Sequence, residues 1–171
     1  ISKTIKLEEK IKRSTFRNLR LSADGTLCVL GGGNGKNYFY VIDIVNEKQC
    51  KFTSQHLEHS YVPCFINGDN ELVAVGDTEG RIEIWDIVKN ESVKTLRTEN
   101  KRWITASASV HNILAIGSAD QMLRLYDVRN WECFYQHQFK CQGESLHLTN
   151  DLKYVTFAGE GDDKCVVLQV E

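Results

Sequence analysis

Apolar and polar positions alternate in short runs along most of the chain, and the clearest runs come in matched pairs. In 72–87 an apolar run, Leu72 to Val75, is followed by Gly76, a polar stretch, and a second run from Arg81 to Ile87 in which apolar and polar residues alternate. Residues 113–128 repeat the design, with Gly117 in the place of Gly76. A period of two around a Gly-centred polar turn predicts a β-hairpin. The first unit keeps the elements at 27–33 and 38–44, and the fourth at 154–159 and 165–170.

Each hairpin is preceded by another apolar segment that closes in a turn: Leu19 to Leu21 before Asp24-Gly25, Val62 to Ile66 before Asp69-Asn70, Ile104 to Ala108 before His111-Asn112, and Leu146 to Leu148 before Asn150-Asp151. Asn, Asp and Gly supply the conformations such turns need. A fourth strand follows in three units, at 49–53, 92–96 and 133–139. Each unit therefore predicts a four-stranded antiparallel sheet. The dipeptides that close the units, Ile42-Asp43, Trp85-Asp86, Tyr126-Asp127 and Leu168-Gln169, lie 43, 41 and 42 residues apart.

Period, glycine position and closing dipeptide together resemble the WD-repeat β-propellers over the whole chain. A β-sandwich also has many short strands, but it does not require four near-identical intervals. The resemblance implies an all-β fold of four four-stranded blades, at about 15–53, 61–97, 104–139 and 144–171, in a single domain spanning 1–171. The sequence departs from the family in two respects. Only the second unit has a literal Trp-Asp, and the usual Gly-His before the first strand is absent, with His59 its nearest stand-in. The family's Asp-His-Ser-Trp hydrogen-bonding network is therefore not carried over to any unit.

Residues 1–7 resemble the outer strand at 91–96 and are expected to act as the outer strand of a preceding or closing blade. Four blades in a closed ring would each turn through about a quarter-circle, whereas propellers of this family usually close with more. The chain begins with Ile rather than Met. An open arc, cut from a larger ring, is the expected arrangement, with apolar blade faces exposed at both ends that the rest of a ring or a second copy would cover.

Composition adds exclusions. The chain has 171 residues, 42% hydrophobic and 26% charged, which suits one globular domain and excludes a disordered chain. Net charge is −2, but residues 1–20 carry seven Lys or Arg against Glu8 and Glu9. That basic start offers a nucleic-acid contact as an alternative reading. With Phe16 its only aromatic, nucleic acid is not the expected partner. No apolar stretch is long enough to span a bilayer as a helix, and no membrane partner is expected. The six cysteines lack the close spacing of zinc ligands and mostly fall in apolar segments, so they are expected to be reduced, buried thiols of a cytoplasmic or nuclear protein.

Catalytic constellations are scarce. None of the five histidines sits in a zinc-protease or nucleophile motif. His56 and His59 with Glu58 offer a metal geometry, yet a solvated loop explains them better. Residues 31–36 resemble a phosphate cradle but lack the Walker spacing and a following helix, and 160–163 lack the ligand spacing of a calcium loop. No catalytic residue, cofactor or metal is expected.

The resemblance implies a non-catalytic protein–protein interaction scaffold whose loops dock peptides or domains. A second reading is a regulatory or substrate-recognition subunit of an enzyme complex, such as a ubiquitin ligase or an RNA-modifying assembly. Loops before each first strand and between the second and third strands should share one face. By position, the expected partner-binding residues are Lys36, His56, His59, Tyr61, Glu79, Arg102, Trp103 and Asp120. Trp131 joins them as an aromatic on a turn, where it either anchors a partner or packs over a neighbouring blade.

Overall fold

A computed structural model describes residues 4, 18–31, 37–59, 62–66, 68, 70–99, 102–140, 142–160 and 165–170. Four antiparallel sheets follow one another along the chain. The first contains β1 (Leu19–Leu21), β2 (Leu27–Gly31), β3 (Tyr38–Asp43) and β4 (Lys48–Thr53). The second contains β5 (Val62–Phe65), β6 (Leu72–Gly76), β7 (Arg81–Asp86) and β8 (Glu91–Arg97). The third has β9 (Ile104–Val110), β10 (Ile113–Ser118), β11 (Met122–Asp127) and β12 (Glu132–Gln138), and the fourth β13 (Gln142–Leu148), β14 (Tyr154–Glu160) and β15 (Val166–Gln169). Within each sheet the strands lie side by side in chain order, the arrangement of a propeller blade. The proposed strand at 1–7 lies outside the described residues.

The closing Asp of the first three units has a local cause. The Asp43 carboxylate accepts the Asn46 N–H, Asp86 accepts those of Val88 and Lys89, and Asp127 that of Arg129. Each side chain thus ties down the turn to the outer strand. The same turns place Glu47, Asn90 and Trp131 at positive φ. At the other turn type, Ser22 with Asp24 and Thr149 with Asp151 build matching hydroxyl–carboxylate clamps in the first and fourth blades, at 2.7 and 2.6 Å.

Blades pack face to face because the middle strands are apolar on both sides. Val29, Phe39, Val41 and Phe52 of the first blade meet Val73, Val75 and Trp85 of the second. Phe39 and Phe52 stack at 5.0 Å, and Trp85 meets both edge-on. Residues of β5–β8 such as Ile82 and Ile84 then face Ile104, Leu114, Ile116 and Tyr126 of the third blade. The third blade's Leu123 and Leu125 face Leu146, Leu148 and Phe157 of the fourth. Each fully buried side chain of this size contributes about 1.5–3 kcal/mol.

The recurring glycine is a packing requirement. A Cβ on Gly76 would lie 2.5 Å from the Ile104 side chain, and one on Gly117 would lie 3.0 Å from Phe157. Glycine therefore lets the second strand of one blade approach the next blade.

The four sheets do not close into a ring, as the arc reading expects. Their first strands together line a concave cavity of about 490 Å³ that includes Arg20, Cys64, Ala108 and Ser145. Both outer faces keep exposed apolar residues, Leu19 and Leu21 on the first blade and Tyr154 and Val167 on the fourth, although Cys28, Leu30, Tyr38, Tyr40 and Ile42 of the first blade's outer face are buried. One expectation needs correction: the thiols are not mostly buried. Among the described cysteines, Cys28 and Cys64 are buried, while Cys50, Cys133 and Cys165 are exposed because they alternate outward on or beside outlying strands.

Candidate functional site

Loops from neighbouring blades meet at one end of the sheets, and hydrogen bonds hold them together. The Asp77 carbonyl, after β6, accepts the Ile104 N–H at 2.9 Å. The Asp77 carboxylate accepts N–H groups from Glu79 and Arg81 at 2.8 Å and from Glu58 at 3.3 Å. Burial raises the Asp77 pKa above 3.8, against the opposing pull of those N–H groups and of Arg81. The Arg81 guanidinium donates to the His56 carbonyl and sits 3.6 Å from Asp77. One buried carboxylate and one arginine thus bind the loop before β5 to the loop after β6.

The next junction is built similarly. Ala119 donates to the Trp103 carbonyl at 2.8 Å, and the Ser118 hydroxyl to the Arg102 carbonyl at 3.3 Å. Thr98 donates to the Gly80 carbonyl at 2.8 Å. Gly80 has φ of 73°, and a Cβ there would lie 2.3 Å from the Thr98 hydroxyl. These bonds fix the backbone of Trp103 while its side chain remains 55% exposed. An indole held out on an ordered loop offers contact area with little ordering cost.

The expected site residues do not all converge. His56, Glu79, Arg102 and Trp103 are exposed at the loop end, and His59 is half-buried with its Nδ1 atom enclosed and without a hydrogen-bond partner among the described residues. Asp120 belongs to the same end, but its carboxylate is turned inward. Arg124 donates to its two oxygens at 3.2 and 2.7 Å, with both side chains under 5% exposed. Burial opposes the Asp120 charge, but Arg124 outweighs it and leaves the pKa below 3.8. Trp131 lies at the opposite end, half-buried on the core between the second and third blades. Lys36 and Tyr61 lie outside the described residues.

Sequence reasoning missed several groups at this end. A polar cleft of about 510 Å³ lies between the first two blades, lined by residues including Asn37, Gln55, His56, Arg81 and Arg97. The spacing of four shared by Asp77-Arg81 and Asp120-Arg124 was the available signal. Trp85 is buried, and its indole donates to Glu83 at 2.9 Å instead of entering the family's network. Among the described residues no three His, Cys, Asp or Glu side chains gather to hold a metal, and no helix is long and apolar enough to cross a membrane.

The fold is thus that of a β-propeller arc with repeated blades. No family model matches the chain. It is 24% identical over 102 residues to Protein SPA1-RELATED 4 of Arabidopsis thaliana, covering 59% of this chain and 13% of that protein. It is 34% identical over 58 residues to Anaphase-promoting complex subunit cdh1 of Dictyostelium discoideum, covering 34% of this chain and 8% of that protein. Both similarities are to WD-repeat proteins, at low identity. The chain spans 13% or less of the length of each relative.

Proposed function

We propose that the chain is a non-catalytic protein-interaction module whose loop end docks a peptide or domain of another protein. One observation carries the reading: Trp103 stands exposed on a loop whose backbone is fixed to the neighbouring turn. Arg102 and Glu79 flank it as exposed charges, and His56 extends the surface over the cleft between the first two blades. Asp120 supports this surface through Arg124 rather than by touching a partner. The similarity to WD-repeat proteins supports the same class of role.

The test compares the two ends of the sheets. A photo-crosslinking amino acid at Trp103 should capture a defined protein that Arg102→Ala loses, whereas the same group at Val88, exposed on a turn at the opposite end, should not. Equal capture at both positions would sink the reading.

A regulatory subunit of an enzyme complex is the second reading, favoured because one relative is a subunit of a complex. A cytoplasmic or nuclear location belongs to the same proposal. The exposed Tyr154 and Val167 make the rest of a ring, or a second copy, a further expected partner at the fourth blade.

A further inference from the structure

Equivalent positions in the second and third blades carry opposite charges. In the third blade, Arg124 on the central strand faces the second blade and is neutralised by Asp120 four residues earlier. The second blade has Glu83 in the place of Arg124 and Glu79 in the place of Asp120. It therefore carries carboxylates at both positions, and Arg81, which lies between them in sequence, is engaged by Asp77 and the His56 carbonyl.

Glu83 is fully buried. Its Oε2 accepts the Trp85 indole N–H at 2.9 Å, while Oε1 is enclosed and has no hydrogen-bond partner among the described residues. A buried carboxylate oxygen left without a donor is costly, so the position favours any ligand that supplies one. Glu83 also lines a cleft of about 460 Å³ between the first two blades, together with Lys51, Gln55, His56, Trp85 and Glu91. Among the described residues of that lining Lys51 is the one Lys or Arg, and it places its ammonium 4.2 Å above the Tyr38 ring. Tyr38 belongs to the face of the first blade turned away from Trp85.

We propose that this cleft takes an arginine side chain of a partner polypeptide, with Glu83 as the anion and Trp85 as the aromatic wall. The third blade shows that this fold accommodates a carboxylate–guanidinium pair in the buried position. Guanidinium suits the site better than ammonium because it is planar, more weakly hydrated, and able both to fork onto a carboxylate and to stack on an indole. The cleft shares His56 with the loop-end surface but not Trp103 or Arg102, so the Trp103→Ala control separates the two assignments.

The probe is acetyl-arginine amide titrated into the full chain, with acetyl-citrulline amide as a neutral analogue of the same shape. The readout is the NMR signal of the Trp85 indole N–H, assigned with Trp85→Phe. Arginine should shift that signal saturably, and citrulline should bind at least about tenfold more weakly, as loss of a charge-assisted hydrogen bond implies. Glu83→Gln should weaken arginine binding to a similar extent, and Trp103→Ala should leave it unchanged. No shift, an equal response to citrulline, or unaltered binding by Glu83→Gln would overturn the proposal. If Glu83→Gln does not fold, the comparison of arginine with citrulline on the unaltered chain decides it.

Discussion

Removing the Asp120 carboxylate should destabilise the third blade more than its place on a turn suggests. Arg124 is 4% exposed and Asp120 3%, and their nitrogens and oxygens meet at 2.7 and 3.2 Å. Asp120→Asn therefore leaves a guanidinium desolvated and without its counter-charge. Breaking a buried pair in this way costs about 3–5 kcal/mol, a large share of the 5–15 kcal/mol that holds a typical domain together. Replacing both groups, as in Asp120→Asn with Arg124→Met, removes the stranded charge and should cost about 2 kcal/mol less than the two single losses added. Urea unfolding followed by tryptophan fluorescence measures the cycle. At a slope of about 2 kcal/mol/M, the single variant should shift the midpoint by about 1.5–2.5 M. Lys153→Met, which removes the exposed cation 3.7 Å from Asp151 and leaves the Thr149–Asp151 clamp in place, is the control and should hardly move it. Additive single losses, or an Asp120 loss no greater than that of the control, would refute the reasoning.

Two further outcomes follow from the packing and the turns. Gly76→Ala should lower stability by about 1–3 kcal/mol, since its Cβ would meet Ile104 at 2.5 Å, and thermal melting should show a reduced Tm; a neutral result would mean that the blades separate more readily than described. Acid should destabilise the protein through its turn carboxylates. Asp127 falls from 3.8 to about 2 because Arg129 bonds it, so its stabilisation is present above pH 3.8 and lost as pH falls towards about 2. Asp77, raised above 3.8 by burial, has the opposite sign and favours the fold below that pH. Asp24, Asp43, Asp86, Asp120 and Asp151 share the direction of Asp127. Tm should therefore fall between pH 4 and 2, and less steeply in Asp127→Asn.

The blade order was legible because each repeated residue does a job within its own unit or against the neighbouring blade. The closing aspartates bond N–H groups two or three residues away, and Gly76 and Gly117 stand where the next blade leaves no room for a Cβ. Such constraints recur with the period and can be read without coordinates. The candidate surface is less legible because it depends on which groups neutralise one another, and pairing does not follow from period. Asp120 and Glu79 occupy equivalent turn positions, yet one is buried on Arg124 and the other is exposed. What separates them is the residue four places on, arginine in one blade and glutamate in the next. Trp103 and Trp131 were likewise both candidates as exposed aromatics, but the core takes up half of Trp131 and none of its sequence neighbours signals that. The same logic makes Glu83 the more informative departure. A repeat that keeps Gly76, Trp85 and Asp86 while reversing the charge of one buried position has preserved its fold and changed what its flank can hold.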